Sequence, residues 1–381
     1  MNKKTIVLDG RFYSLSTAGI GRYCQNLIAN LAKIDQINQY YVLLNKIGRS
    51  EWNIKQDNFK PVNCEIEYFS FPEQTKLAGQ IKALKPDLIH YLNFNHPILG
   101  SGKFIVTVHD LTMHFFSSGR KSRSIVRKLA YKSVMRHAVS ASRAIIVPSV
   151  ASKDDIVKYF RPKPDKIFVT YEAADDFNKG GITDQIQTAT KTKFHITKPY
   201  FLFVSQWRPH KGLPELIDAF KIITSKYPNY QLVITGKGRI DFSDIIEKVT
   251  EAQALYPIIT TGFVSDQELG ALYQDALALI FPSFYEGFGL PMLEAAQYGC
   301  PTIASKTSCM PEIMQDSAEY FKVGDAKDLA QKMEKALTDK GWRSRLGVKA
   351  RERAKLFSWQ KMARETLDIY NKILNNSASK Q

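Results

Sequence analysis

Two glutamates stand out for the chemistry their spacing allows. Glu286 and Glu294 bracket the segment Glu286-Gly-Phe-Gly-Leu-Pro-Met-Leu-Glu294, with Gly287, Phe288, Gly289 and Leu290 leading into Pro291. A carboxylate accepts paired hydrogen bonds from a vicinal diol such as a ribose or a hexose, each charge-assisted bond worth about 1.5–3 kcal/mol. The glycines allow close backbone approach, and a helix N-terminus offers N–H groups to a phosphate. Pro291 suits the first turn of a helix, because it has no N–H to waste there. Gly299 and Pro301 would then end that helix. Glu286 is therefore expected on a loop and Glu294 in the first turns of the helix. Taken alone, Glu294 is explained equally well as a complement to the helix dipole.

Such a site needs cations for a diphosphate. Ser205-Gln-Trp207-Arg208-Pro-His210-Lys211-Gly212 supplies Arg208 and Lys211 directly after an apolar run; a solvated basic loop is the plainer alternative. Near the start, Thr17-Ala-Gly19-Ile-Gly21-Arg22-Tyr23 carries a G-x-G between an expected strand and an expected helix. There Gly19 and Gly21 permit a tight turn and bring backbone N–H groups towards an anion, a weak signal by itself. Val106-Thr-Val108-His109-Asp110 closes another apolar run. A lone histidine is more often structural than catalytic. No D-x-D triplet occurs in the chain, which agrees with chemistry that needs no metal.

These residues need a frame that lines them up. Short apolar runs at Thr5–Leu8, Tyr40–Leu44, Ile66–Phe69, Leu88–Tyr91, Phe104–Val108, Ala144–Val147 and Lys166–Val169 read as strands separated by helices. The pattern repeats at Tyr200–Val204, Gln231–Thr235, Ile258–Thr261, Leu277–Phe281 and Thr302–Ala304. Ile20–Leu31 carries apolar residues at 3–4 spacing, Ser149 is placed to cap a helix, and Ser265 with Glu268 forms a capping-box pattern. The polar stretch from about Asp175 to Pro199 suits a domain connection. The expectation is α/β: two Rossmann-like domains with parallel sheets, over 1–185 and 186–364, with a cleft between them. The C-terminal helix, about 365–381, would complete the first.

With the loops placed, E-G-F-G-L-P-x-L-E resembles the E-x7-E signature of the retaining glycosyltransferase family 4, whose members adopt the GT-B fold of two facing Rossmann-like domains. The resemblance covers nearly the whole chain. It implies that Glu286 contacts the donor hexose and Glu294 the nucleotide ribose. It also implies that backbone N–H groups near Phe288, Gly289 and Leu290 meet sugar and diphosphate. The Gly19–Gly21 loop is similar to the family's N-terminal glycine loop, and His109 to its contact with donor sugar or acceptor. Lys211 matches the family's diphosphate-binding lysine. The arginine usually found five residues earlier is here Gln206, and Arg208 could stand in from a shifted position. The activity implied is transfer of a hexose from a nucleotide sugar, best GDP-mannose and next a UDP-hexose. The acceptor would be a saccharide or polyprenyl-linked saccharide in cell-surface glycan synthesis.

The formal charge of +16 points to phosphate-bearing partners. It is densest over Arg120–Arg143, and no acidic residue lies between Leu111 and Lys153. Val126, Ala130, Val134 and Ala138 would give that stretch an apolar stripe, suited to an anionic membrane surface; a helix docked on the sheet with a solvated basic face is the alternative. A nucleic-acid partner is not expected, since only Tyr131 interleaves the cations. No apolar run approaches the roughly 18–20 residues that cross a bilayer. The four scattered cysteines read as buried thiols and the chain as cytoplasmic, peripheral at the inner face of the membrane. A sugar phosphorylase or a nucleotide-sugar epimerase on the same fold is the rival enzyme class.

Overall fold

A computed structural model describes residues 3–100, 102–116, 125–174 and 181–375. The chain divides into two compact units, one of Met1–Leu111, Ser124–Glu172 and Ser358–Gln381, the other of Thr112–Arg123 and Ala173–Phe357.

The first unit is built on seven parallel strands: β1 (Thr5–Asp9), β2 (Gln39–Leu44), β3 (Phe59–Asn63), β4 (Leu88–Tyr91), β5 (Phe104–Thr107), β6 (Ala144–Val147) and β7 (Ile167–Val169). Their order across the sheet is β3-β2-β1-β4-β5-β6-β7. The second carries β8 (Tyr200–Val204), β9 (Gln231–Thr235), β10 (Ile258–Gly262), β11 (Ala278–Phe281), β12 (Thr302–Ser305) and β13 (Glu319–Phe321), in the order β10-β9-β8-β11-β12-β13. Central strands such as Leu88-Ile-His-Tyr91 and Ala278-Leu-Ile-Phe281 are buried throughout, as a parallel sheet covered on both faces requires. Phe201, Phe203, Phe220, Leu232 and Ile234 fill the second core. Each fully buried side chain of this kind contributes about 1.5–3 kcal/mol.

In each sheet the strand order reverses at one point, between β1 and β4 and between β8 and β11. Loops leaving the carboxyl ends of two such strands diverge and leave a crevice for ligands. The helix Ala18–Ile34 follows β1 and buries Tyr23, Cys24, Leu27, Ile28 and Leu31 at the expected spacing. The last helix, Trp359–Asn375, returns to the first unit and packs on Ala18–Ile34.

Some segments depart from the sequence reading. Ile66–Phe69 is no strand: the Ile66 carbonyl accepts from Arg11 Nη1, and Phe69 has φ +59°. The edge strand is Phe59–Asn63 instead, where Pro61 is tolerated because only one neighbour pairs with it. Part of the polar connection, Asp184–Lys193, is a helix that Thr183 caps, packed on the helix Asp266–Asp275. On the basic helix Ile125–Ala141 the buried residues are Tyr131, Met135, Ala138 and Val139, while Ala130 is exposed. That face is buried, and Lys128, Lys132 and Arg136 are left in solvent. Arg120 to Ser124, and the side chains of Val126 and Arg127, lie outside the described residues.

All four cysteines are free thiols and buried. Among the described residues, no helix is long and apolar enough to cross a membrane.

Candidate active site

The second unit gathers most of the expected residues at its reversal point. β8 and β11 are neighbours, with Ala278 beside Phe201 and Leu279 beside Leu202. The loops that follow them therefore emerge side by side. The Phe284 N–H donates to the His210 carbonyl at 2.8 Å. Gly212, at φ +67°, lies so close to Pro282 that a Cβ would stand 2.1 Å from its carbonyl oxygen. Only glycine meets both demands, the left-handed backbone and the contact.

This packing places Lys211 Nζ 2.6 Å from Glu286 Oε1, with side-chain exposures of 18% and 12%. The Glu286 backbone is held from the other side by Ser308, whose hydroxyl donates to the Glu286 carbonyl at 2.6 Å. Gly289, at φ +89°, caps the helix Leu290–Gln297, and Pro291 occupies its first turn. Phe288 is buried and meets Phe357 edge-on at 5.8 Å, so its ring secures the loop while its backbone lies at the helix start. Leu290 is buried beside it, and Gly287 completes the turn. Glu294 is buried, and the Tyr273 hydroxyl donates to its Oε2 at 3.0 Å. Arg208 Nη2 donates to Gln206 Oε1 at 2.8 Å, so the side chain at the unusual position holds the nearby cation. Burial, then the charges of Lys211 and Arg208, pull His210 down to about 3, so it is neutral at physiological pH. A short segment, Thr112–Phe115, also belongs to this unit, where Phe115 meets the Tyr285 ring edge-on at 4.9 Å.

The first unit places its candidates differently. Gly19 and Gly21 lie inside the first turn of the helix Ala18–Ile34 rather than in a loop before it. The tight turn comes earlier, at Ser14–Ala18, where Ala18 has φ +54°. Gly21 lets this turn press on the helix, since a Cβ there would stand 1.9 Å from the Ser14 carbonyl oxygen. Thr17, at the N-cap, makes no side-chain capping bond, and its hydroxyl turns back to the carbonyls of Phe12 and Ser14.

His109 sits just past β5. Its Nε2 is 2.9 Å from the Leu92 carbonyl and its Nδ1 is 3.3 Å from Glu172 Oε1. A carbonyl and a carboxylate only accept, so the geometry suits an imidazolium that donates from both ring nitrogens. Burial lowers the pKa of this imidazole. The hydrogen bond and charge of Glu172, the Leu92 carbonyl and the charge of Asp110 outweigh that and raise it above its ordinary 6.5. Such an imidazolium has no lone pair to accept a proton.

Glu172, Ser308 and Tyr273 escape sequence reasoning. Glu172 is 63 residues from its partner and follows a different strand. The one available signal is its place just past a strand's carboxyl end, where this fold keeps its chemistry. Among the described residues, no group of three or more His, Cys, Asp or Glu side chains is arranged to hold a metal.

Comparison with known proteins bears on the family and the fold. A model described as Glycosyltransferase Family 4 matches residues 17–176, and one described as Glycosyl transferases group 1 matches residues 184–353. The chain is 24% identical over 373 residues to the O-antigen chain mannosyltransferase B of Escherichia coli, covering 92% of this chain and 95% of that one. Among solved structures, sucrose-phosphate synthase from Thermosynechococcus elongatus superposes with a TM-score of 0.77 at 19% identity, covering 98% of this chain and all of the other. Anabaena HepE in complex with UDP and glucose gives 0.76 at 16% identity, covering 97% of this chain and all of that one. These two likenesses show the fold, the GT-B pair of Rossmann-like domains.

Proposed function

We propose that this chain, which belongs to glycosyltransferase family 4 and is a glycosyltransferase, moves mannose from GDP-mannose to a saccharide or lipid-linked saccharide, with retention at the anomeric carbon. The observation that carries the reading is the Lys211–Glu286 pair beside the Gly289-capped helix. It sets one cation, one carboxylate and one helix N-terminus together at the crevice edge of the second sheet. The cation and the helix N-terminus suit a diphosphate, and the carboxylate suits sugar hydroxyls. Glu294, buried four residues into the same helix, would take the ribose. Arg208, steadied by Gln206, adds a second positive charge.

In this mechanism the sugar–phosphate bond breaks through an oxocarbenium-like state on the face that the acceptor attacks. Lys211 and the helix N-terminus stabilise charge on the departing diphosphate. That diphosphate then takes the acceptor proton. The two acceptors at the His109 ring and its raised pKa support this reading, because a base at that position would need a lone pair. In this reading no metal is required.

Mannose is favoured by the E. coli relative, which carries that specificity in its name and matches along nearly its whole length. A UDP-hexose is the second donor, suggested by the complex of HepE with UDP and glucose. The exposed cations Lys128, Lys132, Arg136 and Arg143 support a peripheral position on an anionic cytoplasmic leaflet. A panel of nucleotide sugars, with hydrolysis followed by mass spectrometry, tests the donor. GDP-mannose should be consumed fastest; preferential loss of UDP-glucose would move the assignment to the second donor.

A further inference from the structure

A line of buried polar groups crosses the first unit and ends at the wall of His109. Tyr370, on the C-terminal helix, has its hydroxyl 2.6 Å from His90 Nδ1. His90 Nε2 lies 2.8 Å from Thr107 Oγ1, which lies 2.9 Å from the Tyr23 hydroxyl. Tyr370 and His90 are fully buried, and Tyr23 and Thr107 are 1% exposed. The Tyr23 ring stands at 83° to the His109 imidazole, with centroids 4.7 Å apart. Thr107 is also two residues before His109 on the same run of chain.

Apolar side chains could fill this space without losing any hydration. Buried hydroxyls and imidazoles are costly unless paired, and a fully paired network gives rigidity in return. Here the polar line is not spread over the core. It runs from the C-terminal helix to the one histidine that projects past β5 at the carboxyl edge of the sheet. There Glu172 and the Leu92 carbonyl hold both ring nitrogens.

We infer that Tyr370 and Glu172 are positioning residues for His109. Glu172 fixes the ring through Nδ1, and Tyr370 braces it from behind through His90, Thr107 and Tyr23. The inference rests on the place given to His109 at the donor or acceptor sugar in the reading above. Its consequence is that the C-terminal helix takes part in the site without touching it, so loss of one phenol oxygen alters the imidazole.

The raised pKa of His109 fits this placement. The groups that face His109 are Glu172 past β7, Asp110 on its own loop, Tyr23 on the helix Ala18–Ile34, and His90 on β4. Burial, and next the charge of His109, press His90 down to about 3, so it stays neutral and passes on hydrogen bonds only. Burial likewise keeps Tyr23 neutral, leaving Glu172 and Asp110 as the counter-charges.

The test uses the full chain. Nitrogen-15 spectra of the histidine side chains, with His109 assigned through His109→Gln, should show both ring nitrogens protonated at neutral pH. In Glu172→Gln the His109 titration should move to lower pH. In Tyr370→Phe the His109 ring signals should shift. There kcat for hydrolysis of the better of GDP-mannose and UDP-glucose should fall about five- to tenfold with KM changed less than about twofold. If Tyr370→Phe does not fold, Thr107→Val breaks the same line one step nearer, and Thr107→Ser should restore it. Wild-type His109 signals in the broken-line variant overturn the inference, and so does wild-type kcat alongside a damaged His109→Gln enzyme. Wild-type turnover in His109→Gln itself also ends it, on the different ground that the assigned role of His109 has failed.

Discussion

The two carboxyl edges of this molecule solve the same problem by different means. In the second unit the groups are brought together by backbone: adjacent strands, two loops pressed into contact at Gly212 and Pro282, and a helix that begins at Gly289. In the first unit His109 is held by side chains from Glu172 and Tyr23, and by the carbonyl of Leu92. A backbone-built site follows from local sequence, because glycines and prolines mark it. A side-chain-built site depends on partners far apart in the chain.

The comparison breaks most visibly at Gly212. Gly212→Ala forces a Cβ into the Pro282 carbonyl at a left-handed backbone position, and the two loops must separate. We expect a loss of about 2–4 kcal/mol in stability and loss of nucleotide binding with it. Thermal unfolding and titration with GDP or UDP check both. An alanine variant with unchanged melting temperature and affinity would show that the loops are not fastened at this point.

Glu172→Gln makes the corresponding change in the first unit and should act through pH. His109 has a raised pKa in the folded chain, so its contribution is complete below its ordinary value of 6.5 and is lost as pH rises through the folded value. The wild type should therefore lose stability on that alkaline side, and Glu172→Gln should lose less. Denaturant midpoints between about pH 6 and pH 9 read this difference. Parallel pH profiles would contradict the pairing.

The smallest effect is expected at Tyr273→Phe. It removes one hydrogen bond to Glu294 and leaves the ring in place. A change of about 0.5–1.5 kcal/mol in nucleotide affinity, with little change in turnover, would sharpen the view that Glu294 is oriented for binding.

Much of the fold was legible. Both doubly wound parallel sheets follow from the alternation of apolar strands and helices, and Ser149, Ser265 with Glu268, and Pro291 lie at the helix starts they mark. Failures came where tertiary contacts override pattern. Ile66–Phe69 looks like a strand, but a buried cluster of Asp9, Arg11 and Glu73 takes its backbone instead: Arg11 donates to the Ile66 carbonyl, and the Phe69 N–H donates to Glu73. Asp184–Lys193 is polar enough to read as a linker, yet one face of it packs on a neighbouring helix. The glycines at 19 and 21 read as a turn because the signal for the real turn, Ala18 at positive φ, is invisible in an alanine. In the second unit, Lys211 and Glu286 could each be singled out from their loops, but their mutual contact follows only from β8 lying next to β11. Even the charge of +16 has a structural share. Arg343, Arg351 and Arg353 donate to the carbonyls of Leu277, Tyr298, Ile313 and Glu312.

The most direct test of the account is glycosyl transfer by Lys211→Ala and Glu286→Ala with the preferred donor from the nucleotide-sugar panel. Both variants should fold as the wild type does, and each should lose at least about a hundredfold in rate. Transfer near the wild-type rate in either one would contradict the role assigned to that residue, and in both would remove the pair as the centre of the donor site.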